Sequence, residues 1–140
     1  LYLAARSENI RIIQKYHKKK IILIDRFIDS TIAYQHYGMG VDIKVIKLIN
    51  RYLLKNISVD FTFLNLVNKQ NLYLRLKKRK RLNRYDKFNM NFYNKVQNGF
   101  LKLANLKKKS YHLINSNLDI KMNEKLILKK IDKLIINKWN

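Results

Sequence analysis

Asp25 and Arg26 directly follow four apolar residues, Ile21-Ile22-Leu23-Ile24, and lead into a polar, aromatic-studded stretch that ends at Gly40. A carboxylate beside a guanidinium can serve a metal ion and an anion, which are the two demands of phosphate chemistry. Ser30, Thr31, Tyr34 and Gln35 come next and offer hydroxyls, a ring and an amide. A nucleobase needs a π-face and a few directional hydrogen bonds, and those side chains supply both. The alternative for Asp25-Arg26 is a plain ion pair at the end of a strand, and the side chains of the next turn weigh against it.

Two further groups could handle nucleotides. Tyr2 and Arg6 stand four apart, so on a helix they share a face. An aromatic with an Arg one turn on can stack a base and bond its edge, although an ordinary surface pair has the same spacing. Arg75, Arg79, Arg81 and Arg84 punctuate a basic stretch that ends in Tyr85-Asp86. Arginines spaced through a closing segment can neutralise the charge that develops in phosphoryl transfer. A solvated charge run, or a nucleic-acid patch, fits the same residues. His17, His36 and His112 show no metal-ligand spacing, and no Ser/His/Asp arrangement stands out.

These groups need a scaffold, and the hydropathy pattern predicts α/β. Leu3, Ala4, Ala5, Ile10 and Ile13 predict a helix over residues 1–16. The apolar run 21–25 predicts a strand buried on both faces, as in a parallel sheet. Asp29 and Ser30 can cap a helix to about Tyr37, broken by Gly38-Met39-Gly40. Residues 42–56 predict an amphipathic helix with Val45, Ile46, Ile49, Leu53 and Leu54 inward. Strands are expected at 60–67 and 110–115. Helices are expected at 69–77, at 87–106 with Phe92, Val96, Phe100, Leu101 and Leu103 inward, and at 122–138 with Leu126, Ile127, Ile131, Leu134 and Ile135 inward. Strands separated by helices give a parallel sheet, whose carboxyl edge is where such sheets bind ligands.

Composition sets the outer limits. The 140 residues allow one domain, and 47% hydrophobic content is ordinary for a globular chain. There is no Cys, hence no disulfide framework. No secretory signal stands out, and no apolar stretch nears the ~18 residues of a membrane span, so a cytoplasmic protein is expected. The net charge of +22 suggests a polyanionic partner. Abundant Lys, Asn and Ile with no Pro and three Gly are also what AT-rich codons encode, which accounts for much of the lysine.

Taken in order, five segments resemble bacterial thymidylate kinases. They are LYLAARSENI, IDRFIDSTIAYQHYGMGVD, FTFLNLVNKQNLYLRLKKRKRLNRYD, FYNKVQNGFLKLA and YHLINSN, together spanning nearly the whole chain. The resemblance implies a P-loop NTPase fold of the nucleoside monophosphate kinase type and the phosphorylation of thymidine monophosphate by ATP with Mg2+. By matched position, Tyr2 would stack on thymine and Arg6 would bond its edge. Arg26 would grip the substrate phosphate, and Asp25 would help organise the magnesium site. Ser30 and Thr31 would lie beside the nucleotide, and Tyr34 would pack near the sugar. Tyr85 would close over the acceptor nucleotide. Arg75 and Arg79 would reach ATP from an Arg-rich lid at about 75–86 that also holds Arg81 and Arg84. Asn115 and Ser116 would fall near the adenine. A homodimer is also implied.

The departures define a second set of expectations. Asn83 stands where the family's lid has a carboxylate, ahead of Asp86, and Phe27 replaces a usual Tyr or His. No Gly-x-x-x-x-Gly-Lys-Ser/Thr occurs, and three glycines could not build it. The reading is therefore the C-terminal two-thirds of one thymidylate kinase domain, inactive alone, with the family's first two strands missing. Another nucleoside or nucleotide kinase of the same fold is the nearest alternative. A non-catalytic basic nucleic-acid-binding module and a catalytically dead paralogue are the others.

In this family a missing strand would lie between those expected at 21–25 and 60–66, leaving backbone groups unpaired. The 140-residue chain is therefore expected to be poorly stable or to aggregate. Circular dichroism during urea titration checks this. A steep two-state transition with the ~5–15 kcal/mol of an ordinary domain would contradict it.

Overall fold

The computed structural model describes the backbone of residues 2–81 and 88–139, and the side chains of 7–81 and 88–136. Its elements run α1 (Tyr2–Tyr16), α2 (Ile28–Thr31), a π-helical segment (Ile32–Gly38), α3 (Ile43–Leu54), β1 (Thr62–Leu66), α4 (Lys69–Lys77), α5 (Met90–Leu106), a 3-10 turn (Lys108–Ser110), β2 (Tyr111–Asn115) and α6 (Ile120–Trp139). Two compact units emerge: Leu1–Asp60 with Asn91–Leu103, and Phe61–Met90 with Ala104–Asn140.

The first unit is helical. Ile32, Ile46 and Leu103 form its buried cluster, with Ile28, Tyr37 and Ile43 packed around it. Along α3, Ile46 and Asn50 are buried and Ile43, Ile49, Leu53 and Leu54 are half-buried, at the spacing of one helix face. Ile46, Ile49, Leu53 and Leu54 thus turn inward as expected, and Val45 does not. Val45 is 48% exposed, and the polar Asn50 is buried in its place. A count of apolar residues cannot find an inward Asn. Asp42 caps α3, its carboxylate accepting from the Lys44 amide at 2.8 Å. On α5, Phe92, Val96, Gly99 and Leu103 are buried at helical spacing.

Two glycines set how closely the π-helical segment and α5 approach. A Cβ on Gly38 would sit 2.6 Å from Phe92 Cε2, and one on Gly99 would sit 2.5 Å from Tyr37 Cδ2. Each element thus carries a glycine under the other's ring. The expected helix 29–37 is correspondingly not a uniform α-helix. It begins as α2 and widens into the π form, a variant that occurs mostly as short bulges.

The apolar run 21–25 is not a strand. Ile21, Leu23 and Ile24 are 55%, 82% and 43% exposed, and no described strand pairs with the segment. An apolar run records a tendency to be buried, but a strand exists only where a neighbour supplies its ladder.

In the second unit β1 and β2 pair in parallel, with Thr62 opposite Tyr111 and Leu66 opposite Asn115. Leu64 and Ile114 are its most buried strand residues. Facing Phe63 and His112 meet edge to face at 6.1 Å. Asn68 caps α4 by accepting from the Asn71 amide, and Asp119 accepts from the Lys121 amide at the start of α6. Along α6, Ile127, Ile131 and Leu134 are half-buried. Leu126 and Ile135, expected inward, are 44% and 37% exposed.

Gly99→Ala adds a methyl against the Tyr37 Cβ, Cγ and Cδ2 atoms, which cannot all swing aside. The overpacking costs more than the ~1 kcal/mol that Ala gains in a helix, for a net loss of about 1–2 kcal/mol. Native-state hydrogen exchange should show protection in 32–38 and 91–103 falling roughly five- to thirtyfold. Unchanged protection there would show that the close approach is not needed.

Candidate functional site

The candidate residues fall into two groups, one in each unit. In the first, the chain leaves the segment 21–24, exposed except at half-buried Ile22, through Asp25 and Arg26 and enters α2 at Ile28. Arg26 has φ +60°, the left-handed region. For a residue with a Cβ this costs about 1 kcal/mol, and such strain gathers at functional turns.

The Arg26 side chain meets Tyr34. Its Nη1 donates to the Tyr34 hydroxyl at 3.0 Å, and its guanidinium carbon lies 5.4 Å from the ring centroid. Tyr34 is half-buried and meets Phe92 and Phe100 of α5 edge to face at 6.0 and 6.3 Å. Ser30 and Thr31, half-buried, end α2 on the way to this ring. The first unit therefore gathers Arg26 and Tyr34, with Ser30 and Thr31 in the intervening helix. Tyr2 and Arg6 lie on α1 four residues apart, and their side chains are outside the described residues.

Asp25 is exposed. Among the described residues no three His, Cys, Asp or Glu gather as a metal site. Mg2+ is commonly held by one or two carboxylates together with substrate phosphates. One exposed carboxylate beside an arginine fits that pattern.

In the second unit the carboxyl ends of β1 and β2 carry a polar network. The Asn117 side-chain carbonyl accepts from the Asn68 amide at 3.1 Å and from Asn71 Nδ2 at 2.9 Å. Asn115 Oδ1 accepts from the Asn117 amide and side chain at 3.0 and 2.7 Å. Asn123 of α6 donates to the Asn115 carbonyl at 3.0 Å, and the Ser116 amide donates to the Leu66 carbonyl at 2.8 Å. Arg75 of α4 donates to the Ser116 carbonyl. Arg75, Asn115 and Ser116, singled out separately in the sequence, are thus brought together at the ligand-binding edge of a parallel sheet. Arg79 and Arg81 are exposed just beyond α4. Arg84 and Tyr85, with Asn83 and Asp86, lie outside the described residues.

Sequence reading missed the asparagines at 68, 71, 117 and 123. In so Asn-rich a chain their spacing carries little signal. Apolar spacing marks Phe92 and Phe100 only as core residues, whereas both rings touch Tyr34. The histidines have local partners. His36 donates from Nδ1 to the Val41 carbonyl at 2.9 Å, His17 lies 3.1 Å from the Gln14 carbonyl, and His112 meets Phe63.

Comparison with known proteins agrees with these motifs. A thymidylate kinase family model matches residues 1–127. A thymidylate kinase of Wolbachia sp. subsp. Brugia malayi is 40% identical over 106 residues, covering 74% of this chain and 50% of that protein. One from Trichodesmium erythraeum is 33% identical over 137 residues, covering 96% of this chain and 57% of that protein. The crystal structure of thymidylate kinase from Ehrlichia chaffeensis superposes with a TM-score of 0.68 at 31% identity, covering 93% of this chain and 60% of that one. The chain thus spans about half to three-fifths of the length of these relatives. With its parallel strands and flanking helices, and with the match running from residue 1 to 127, the chain belongs to the thymidylate kinase family.

Proposed function

We propose that the protein to which these residues belong transfers the γ-phosphoryl group of ATP to thymidine monophosphate. A phosphate oxygen of the monophosphate attacks the γ-phosphorus, the bond to the bridging oxygen breaks, and ADP departs with the electron pair. Such a reaction asks little covalent chemistry of the protein, so positioning and charge stabilisation carry it.

The observation that most supports this reading is Arg26, an exposed guanidinium on a left-handed turn, at the position the family motif assigns to the substrate phosphate. Arg suits that task because its planar fork bonds phosphate oxygens in pairs. Tyr2 and Arg6 are assigned to the thymine, and Ser30, Thr31 and Tyr34 to the nucleoside around it. Arg75, Asn115 and Ser116 are assigned to the adenine side of ATP. Arg79, Arg81, Arg84 and Tyr85 are assigned to the lid, with Arg79 nearest the transferred group. When bound, Mg2+ neutralises charge between the phosphates, and Asp25 is the carboxylate we assign to it. A homodimer and a cytoplasmic location belong to the same reading, and no described helix is long and apolar enough to cross a membrane.

This chain contains no Gly-x-x-x-x-Gly-Lys-Ser/Thr, the loop whose backbone N–H groups and Lys cradle ATP phosphates. To the extent that it folds, the chain alone is expected to bind thymidine monophosphate without phosphorylating it. Calorimetric titration of the chain checks this. Thymidine monophosphate should bind in preference to cytidine and adenosine monophosphates. Arg26→Ala should weaken it roughly 10- to 100-fold, the loss of one charge-assisted hydrogen bond net. No preference among the three, together with tight salt-dependent binding of oligonucleotides, would instead favour a nucleic-acid-binding module.

A further inference from the structure

We infer that Tyr34 is a positioning residue for the Arg26 guanidinium, held in turn by Phe92 and Phe100, so that α5 presets the group that meets the substrate phosphate. This rests on the assignment of Arg26 to that phosphate.

Arg26 is exposed and lies in neither a helix nor a strand, on a turn between the segment 21–24 and α2. An arginine side chain carries about 2 kcal/mol of rotamer entropy, which must be given up when it grips an anion. A contact that restricts the side chain beforehand lowers that loss, which is the general benefit of preorganisation.

Tyr34 provides such a contact in two ways. Its hydroxyl accepts from Nη1 at 3.0 Å, and its ring lies 5.4 Å from the guanidinium carbon. A guanidinium has five N–H donors, and the one that meets Tyr34 is given to a neutral oxygen. A carboxylate in the same place would compete with the phosphate for charge, whereas a phenol does not.

Tyr34 can act this way only if it is itself fixed. A tyrosine has two side-chain torsions, and its ring edge contacts with Phe92 and Phe100 restrict both. Phe92 is buried and seated over Gly38, four residues beyond Tyr34, where any side chain would collide with it. The contacts therefore run from the glycine-mediated seam with α5, through the aromatic cluster, to the guanidinium.

Tyr34→Phe tests the inference, because it keeps the ring and both edge contacts and deletes only the hydroxyl. Two readouts are taken on the 140-residue chain. The first is the NMR order parameter of the Arg26 Nε–H bond without ligand, expected to fall in the variant toward the flexible range below about 0.6. The second is the ratio of thymidine monophosphate affinity to thymidine affinity, expected to fall roughly three- to tenfold for one lost hydrogen bond. General unfolding would lower both affinities together and leave the ratio alone. Phe100→Leu, which removes a ring edge but keeps apolar bulk, should move both readouts in the same direction. An unchanged order parameter, or a lowered one with an unchanged ratio, overturns the inference. If neither ligand binds the unsubstituted chain, the assignment to thymidine monophosphate fails instead, and the order parameter still decides whether Tyr34 holds Arg26.

Discussion

The close seam between residues 32–38 and α5 is the contact on which the first unit's candidate site depends. Gly38 admits Phe92, and Gly99 admits Tyr37, so two rings interlock across two backbones with no Cβ between them. Interiors are close-packed, and such an arrangement tolerates little change in volume. Because Tyr34 lies in the same segment and touches Phe92 and Phe100, the seam also sets where its hydroxyl stands. Arg26 then takes its orientation from that hydroxyl. The buried cluster of Ile32, Ile46 and Leu103 lies under the same elements and anchors them by apolar burial.

The second unit solves a comparable problem by hydrogen bonds. Two short parallel strands cannot by themselves fix the loops that follow them. Asn117 accepts from the start of α4, Asn115 holds Asn117, and Asn123 reaches back from α6, so α4, β2 and α6 are tied together beyond the strand ends. Each bond is worth only about 1 kcal/mol net. Several sharing one loop restrict it more than any would alone. Arg75 joins this network through the Ser116 carbonyl, which ties the last turn of α4 to the loop after β2.

The strongly basic composition bears on neither arrangement. The interactions that define the two groups involve Tyr, Phe, Gly, Asn and two arginines, whereas the lysines are almost all exposed. The net charge of +22 sets solubility and non-specific attraction for anions. Directed groups at fixed distances come instead from the residues just named.

Much of this was legible in the residues alone, for a local reason. Helix periodicity and capping depend on neighbours in sequence, so α4 falls at 69–77 as the pattern predicts, and β1, β2 and α5 fall within a few residues of their expected bounds. The ordered motifs around Asp25-Arg26, Tyr34 and Val96-Gly99 were enough to place the chain in its family. What the sequence could not contain was partnership. Segment 21–24 looks like a buried strand yet has no ladder among the described residues, because strand pairing is supplied by distant chain. Asn50 turns inward while Val45 turns out, because neighbouring elements decide which stripe of a helix is covered. The meeting of Arg26 with Tyr34, and of Arg75 with Ser116, depended on side chains brought together across eight and 41 residues. Tertiary packing alone determines such distances.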